Sequence, residues 1–202
     1  KKKNLHLIDA AKDFTEKSLK IINCPTETNF YIDKEKLNYY QKLNGDKFKI
    51  VIGAGSSGPT TRWGSKNFYT LINRLNETGN YFFYILCGPN EKEIEAEIIS
   101  NINKNNFAAL SDKKIKDIIP YLCSSDMYVG NDSFGSHITS QSGKKSIVFL
   151  LDSPRAYTDY SINHYRIIPD GYSINELTHG SNLDPNLISV DKVLDLIQKL
   201  KN

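Results

Sequence analysis

The sequence predicts an α/β protein: a Rossmann-like domain whose mostly parallel sheet is flanked by helices. Three observations predict it. Apolar runs of strand length alternate along the chain with segments whose apolar residues recur at helical spacing, the pattern of a parallel sheet with right-handed crossovers. Several of these strands run into loops rich in Gly, Ser, Asn and Asp, and open α/β sheets bind ligands beyond the carboxyl ends of their strands. The length of 202 residues, with 39% hydrophobic content, is enough for a substantial core.

Taken in order, residues 4–36 have a helical pattern broken by Pro25 and the polar run Thr26-Glu27-Thr28-Asn29. Residues 37–47, with Gly45 and Asp46 near the end, read as a helix that stops before the first strand. Residues 1–47 are therefore assigned to a linker or helical segment, and 48–202 to the Rossmann-like domain. Strands are expected near 49–52, 81–86, 107–110, 127–129, 146–150 and 165–168, and helices near 66–76, 91–103, 114–123, 135–142 and 190–201. Ser65 reads as the N-cap of the first of these helices, where Phe68, Leu71, Ile72 and Leu75 keep helical spacing up to Gly79. Pro120 is expected to kink or shorten the third, because it lacks an N–H and crowds the preceding turn.

Composition excludes several function classes. A net charge of +3, from 26 basic and 23 acidic residues, is too balanced for nucleic-acid binding by bulk attraction. Lys1, Lys2 and Lys3 read as a solvated end. No apolar run approaches the roughly 18 residues of a membrane helix, and no signal-peptide pattern is visible. Cys24, Cys87 and Cys123 show no metal spacing, which points to reduced thiols and a cytoplasmic setting, with Cys87 and Cys123 in the core. The four His and three Cys form no zinc set, so neither metal nor cofactor is expected. The absence of an initiator Met reads as a fragment or a processed piece.

Two segments carry the chemistry. The run 48–52 leads into Gly53-Ala54-Gly55-Ser56-Ser57-Gly58-Pro59-Thr60-Thr61-Arg62-Trp63, and a helix follows. Glycines let backbone approach a ligand, while the Thr60 and Thr61 hydroxyls and the Arg62 guanidinium suit a diphosphate. Further on, Gly130-Asn131-Asp132-Ser133-Phe134-Gly135-Ser136-His137 passes from a strand into a helix start, whose first N–H groups lack internal partners and favour an anion. Asp132 would repel a phosphate, so sugar hydroxyls or a cation suit it better. Asn131 and Asp132 serve equally as an Asx turn and helix cap. Glu91, after Gly88, suits ribose hydroxyls or the positive end of its own helix. His137 is either a phosphate or sugar contact or a helix-surface histidine. Arg155, Tyr157 and Tyr160 lie where they either reach a ligand or line the surface. Ser133 lacks the Gly-x-Ser-x-Gly setting of a nucleophile.

In order and spacing these segments resemble the C-terminal, nucleotide-sugar-binding half of the bacterial heptosyltransferases, glycosyltransferase family 9, which build lipopolysaccharide inner core. Family members carry a Gly-Ala loop, then Arg-Trp-Pro, then a strand-end Gly-Gly-Pro-x-Glu, then Gly-Asn-Asp-Ser-Gly-Pro-Met-His. The matching residues here are Gly53-Ala54-Gly55, Arg62-Trp63-Gly64, Cys87-Gly88-Pro89-Asn90-Glu91 and Gly130 to His137. The resemblance runs from about Val51 to the last helix. It implies one half of a GT-B glycosyltransferase, a donor site built from Gly53, Ala54, Gly55, Thr60, Thr61, Arg62, Gly88, Glu91, Asn131, Asp132, Ser133, Phe134, Gly135 and His137, and a metal-independent transfer. The catalytic base and the glycolipid acceptor site would belong to the N-terminal half. A peripheral contact with the inner face of the inner membrane fits such an acceptor.

Three positions depart from the family pattern. Thr61 stands where a lysine often meets the diphosphate, so that either Arg62 takes over the charge or the site binds weakly. Phe134 occupies the place of the glycine after Asp-Ser, where bulk narrows the site or shifts its register. Gly64 replaces a helix-start proline, expected to cost little. The leading reading is the donor-binding domain of a transferase acting on an ADP-heptose-like nucleotide-sugar. The alternatives are a non-catalytic nucleotide-sugar-binding module and a nucleotide-sugar 2-epimerase of the same fold.

Overall fold

The computed structural model describes residues 7–27, 29–100 and 102–201. The expectations placed on Lys1, Lys2 and Lys3, and on the start of the helical pattern at Asn4, lie outside these residues.

Six strands form one fully parallel sheet: β1 (Phe48–Gly53), β2 (Tyr81–Leu86), β3 (Phe107–Ala109), β4 (Met127–Asn131), β5 (Lys145–Phe149) and β6 (His164–Ile167). Their order is β3-β2-β1-β4-β5-β6, with β1 pairing in register with β2 on one side and β4 on the other. The chain therefore winds outward in one direction from β1 to β3, then crosses to β4 and winds the other way. The crevice above β1 and β4 is the switch point where such sheets bind ligands.

Period-two alternation divides the strand side chains between two cores. Ile50, Ile52, Phe83, Ile85, Val129 and Phe149 face α3 (Ser65–Thr78) and α7 (Val190–Lys201), packing on Phe68, Leu71, Ile72, Leu75, Val193 and Ile197. Val51, Tyr84, Leu86 and Tyr128 face the opposite way, onto Ile118, Tyr121 and Leu122 of α5 (Ile115–Ser124). Between strands lie α4 (Lys92–Ile99) and α6 (Phe134–Gln141), which brings the helices to both faces. The α/β class and the parallel sheet expected from the sequence are present.

Local outcomes differ in instructive ways. Ser65 is the first helical residue and not the cap; Gly64 occupies the N-cap with φ +95°, and the Ser65 hydroxyl donates to Glu97 of α4 instead. Proline is locked near φ −65°, so the turn at Gly64 is closed to it, and the glycine is more than a cheap replacement. Pro120 does not shorten α5, which runs four residues beyond it. Lying in the second turn of the helix, its missing N–H removes a single helical bond, and its ring is buried. The helix after Glu91 stops at Ile99, and the Asn103 side chain caps a separate short turn over Lys104–Asn106.

Ahead of the sheet, α1 (Leu7–Leu19) buries no residue, whereas α2 (Lys34–Lys42) docks on α5. Tyr40 stacks on Tyr121 with ring centroids 3.8 Å apart, and Lys36 pairs with Asp117 at 2.7 Å. The Asp33 side chain caps α2 by accepting from the Lys36 N–H. Cys87 and Cys123 are buried as expected, and burial pushes the Cys87 thiol up to about 12.

Candidate functional site: a cleft at the sheet switch point

Beyond the carboxyl ends of β1, β2 and β4 opens a cleft of about 900 Å³, within the ~300–1,000 Å³ range typical of ligand pockets. Its walls are the loop after β1 (Gly55, Ser56, Ser57, Arg62), the loop after β2 (Gly88 to Glu91), the loop after β3 (Ser111, Lys113, Lys114) and the start of α6 (Asp132 to Gly135).

The two motif segments are joined by one side chain. Asn131 is fully buried; its Oδ1 accepts from the Trp63 amide at 2.9 Å, and its Nδ2 donates to the Ala54 carbonyl at 2.8 Å. Trp63 is itself fully buried, wedged against Phe68 and Phe149, and donates its indole N–H to Ile188. Asn131 thus braces the β1 loop to β4 from beneath and does not reach the cleft. Close packing continues above it, because a Cβ on Gly53 would overlap the Tyr128 hydroxyl and one on Gly135 would overlap Leu86 and the Tyr128 ring. These glycines bring loop and helix down onto the sheet.

Glu91 organises the other wall. Its Oε1 accepts from the Ser56 amide at 2.9 Å and from Arg62 Nη2 at 2.7 Å, while Oε2 accepts from the Gly88 amide at 2.7 Å. Gly55 leaves room for this carboxylate, which a Cβ there would strike. Arg62 also donates to the Ser56 carbonyl, and its Nε is buried without a hydrogen-bond partner. The guanidinium is therefore pinned at the cleft wall, with the side chain 30% exposed. Opposite, α6 starts at Phe134 after Ser133, and no side chain caps its first N–H groups. Lys113 and Lys114 add two more cations, against the carboxylates of Glu91 and Asp132.

The structure thus brings Gly55, Arg62, Gly88, Glu91, Asp132, Ser133, Phe134 and Gly135 together around one cleft. It does not bring the rest. Gly53 and Ala54 are buried beside β4. The Thr60 hydroxyl donates to Asp152 at 2.5 Å, and that of Thr61 is engaged by the Gly58 carbonyl and Ser56. His137 lies behind Asp132. Arg155 is paired with Asp159, and Tyr157 meets His179 at the surface. Sequence reasoning passed over Ser111, Lys113 and Lys114, although the rule of loops beyond strand ends applies to β3 as to its neighbours. Among the described residues no group of three His, Cys, Asp or Glu side chains forms a metal cluster, and no helix is long and apolar enough to cross a membrane.

The family model described as "Glycosyltransferase family 9 (heptosyltransferase)" matches residues 1–168. The chain belongs to this family. No curated protein sequence matches it. Among solved structures, a family 9 glycosyl transferase from Veillonella parvula superposes with a TM-score of 0.78 at 17% identity, over 99% of this chain and 61% of that one. E. coli ADP-heptose LPS heptosyltransferase II gives 0.68 at 17% identity, over 90% of this chain and 57% of its own. E. coli heptosyltransferase WaaC with ADP gives 0.65 at 16%, over 98% and 57%. At these identities the likeness speaks for the fold, and the chain spans less than two thirds of the length of each of these structures. The membership expected from the Gly-Ala, Arg-Trp and Gly-Asn-Asp-Ser motifs is met.

Proposed function

We propose that this chain is the donor-binding part of a glycosyltransferase that moves a sugar from an ADP-heptose-like nucleotide-sugar to lipopolysaccharide or a related cell-envelope glycan. The observation that carries this reading is the facing of Arg62 and the uncapped first turn of α6 across a cleft at the switch point. Family membership supports it, as do the fold neighbours described as heptosyltransferase WaaC with ADP and with ADP-2-deoxy-2-fluoro heptose.

In this reading the diphosphate lies between Arg62 and the N–H groups at Ser133 to Gly135. As the bond to the sugar breaks, negative charge grows on the leaving phosphate. Fixed donors already aimed there stabilise it more than they stabilise the intact donor, with no metal required. Lys113 and Lys114 lie within the same cleft and raise its affinity for anions. Asp132 takes sugar hydroxyls. Residues 1–47 connect to a further half that supplies the base and the glycolipid acceptor site, and the enzyme works at the cytoplasmic face of the inner membrane.

A second reading, a non-catalytic nucleotide-sugar-binding module, is favoured by one observation: Arg62 is already paired with Glu91, as Thr61 is with the backbone. Calorimetry of the chain with ADP, UDP and GDP tests the binding that both readings share. Arg62→Ala is expected to weaken the preferred nucleotide by about 1–3 kcal/mol, the scale of a charged hydrogen bond. A folded Arg62→Ala protein with unchanged affinity would remove Arg62 from the site.

A further inference from the structure

Behind the cleft wall the α6 helix sets up a chain of three side chains. The Asp132 side chain is only 6% exposed, and its Oδ1 is buried without a hydrogen-bond partner. One turn into α6, the ring of His137 is turned so that Nε2 stands 3.4 Å from that oxygen. On the other side of the ring, Nδ1 lies 2.5 Å from the Tyr160 hydroxyl, with the two rings stacked at 5.8 Å and 24°. His164 closes the group edge-on, its two ring nitrogens each 3.2 Å from a backbone carbonyl, and burial holds its pKa below the ordinary histidine value.

A neutral imidazole carries one N–H, and the hydrogen bond at one nitrogen decides which tautomer is present. A carboxylate only accepts, so the ring nitrogen that faces Asp132 Oδ1 suits the N–H, which leaves Nδ1 to accept the Tyr160 phenol proton. We infer that Tyr160 holds His137 as the Nε2–H tautomer, so that the N–H is presented on the side of the ring where Asp132 Oδ1 stands 3.4 Å away. His137 and Tyr160 are then positioning residues for a cleft carboxylate and make no ligand contact of their own. A carboxylate fixed in this way keeps its rotamer, and its remaining lone pairs accept from hydroxyls in the cleft. The functional half of the inference rests on the nucleotide-sugar reading; the tautomer does not.

Two measurements on the whole chain test it. Long-range ¹H–¹⁵N spectra of the histidines at pH 8 are expected to show His137 as Nε2–H, with Tyr160→Phe shifting it toward a tautomer mixture. An Nδ1–H or doubly protonated ring in the wild type overturns the inference. In titrations with ADP-glucose and with ADP, Tyr160→Phe and His137→Leu are expected to weaken the sugar nucleotide on the order of fivefold, the scale of one net hydrogen bond, and to leave ADP unchanged. His137→Gln, which places an amide N–H near the Nε2 position, should restore the affinity. In an Asp132→Asn background Tyr160→Phe should have no further effect; an undiminished effect there also overturns it. If the wild type binds neither nucleotide, the proposed function falls while the spectrum still decides the tautomer.

Discussion

Replacing Asn131 by Leu tests the brace that joins the two motif loops. The change keeps the branching and the number of side-chain heavy atoms at a fully buried position and replaces the amide by two methyl groups. It leaves the Trp63 N–H, now 2.9 Å from Oδ1, and the Ala54 carbonyl, now 2.8 Å from Nδ2, facing an apolar side chain. A buried backbone group stranded in this way costs about 1–3 kcal/mol, so the pair should cost about 2–6 kcal/mol. Against a total stability of about 5–15 kcal/mol for a domain, that is a large fraction. Urea unfolding is the assay, and the chain carries its own reporter, because Trp63 is the sole tryptophan and is fully buried. The midpoint should fall sharply, and native-state Trp emission should shift as the β1 loop loosens. A loss under about 1 kcal/mol with unchanged emission would mean that water or a backbone shift satisfies both groups, and the brace would be refuted.

Three further outcomes follow from the same geometry. Gly135→Ala should destabilise by about 1–3 kcal/mol although alanine is the better helix former, because its Cβ meets Leu86 and the Tyr128 ring; a gain in unfolding free energy would contradict the tight seat of α6. Tyr40→Ala should cost about 2 kcal/mol through the lost stack on Tyr121, and an unchanged melting temperature would mean that α2 merely lies beside the domain. For Asp152, burial pushes the carboxyl up, but hydrogen bonds from Thr60, Ser181 and Gly180 outweigh this and hold its pKa below the ordinary carboxylate value. A depressed native pKa gives stability that is present above the unfolded pKa and lost as pH falls through the folded one. Wild type should therefore exceed Asp152→Asn in stability at neutral pH, with the gap closing below about pH 4; a gap that stays constant down to acid pH would contradict the linkage.

The strands and helices were legible because each is written locally. The wholly apolar Tyr81–Leu86 strand and the Phe68, Leu71, Ile72, Leu75 stripe need no distant partner to be recognised. The cleft was legible through its loops, since Gly55, Gly88 and the Asp132–Ser133 turn announce themselves by residue type. Long-range partners were not. Asn131 looks the same in sequence whether it caps a turn, touches a sugar or, as here, reaches 68 residues back to the Trp63 amide. Glu91 and Arg62 were each visible as charges, but their pairing across 29 residues was not. Thr60 and Thr61 suit a phosphate by chemistry, yet Asp152 and the loop's own backbone engage them. The loop after β3 was overlooked because Ser111 to Lys114 contains no glycine. The Tyr40–Tyr121 stack and the Lys36–Asp117 pair join α2 to α5, and spacing within 1–47 does not reveal either.

The central claim is that a nucleoside diphosphate binds in the cleft above β1 and β4. Backbone amide shifts of the uniformly labelled chain on titration with ADP test it most directly. The account predicts saturable shifts concentrated at Gly55 to Ser57, Gly88 to Glu91, Ser111 to Lys114 and Ser133 to Gly135, with Arg62 side-chain signals moving in step. Shifts confined to the basic surface of Arg166, Lys192 and Lys199 between β6 and α7, with the cleft amides unmoved, would contradict it.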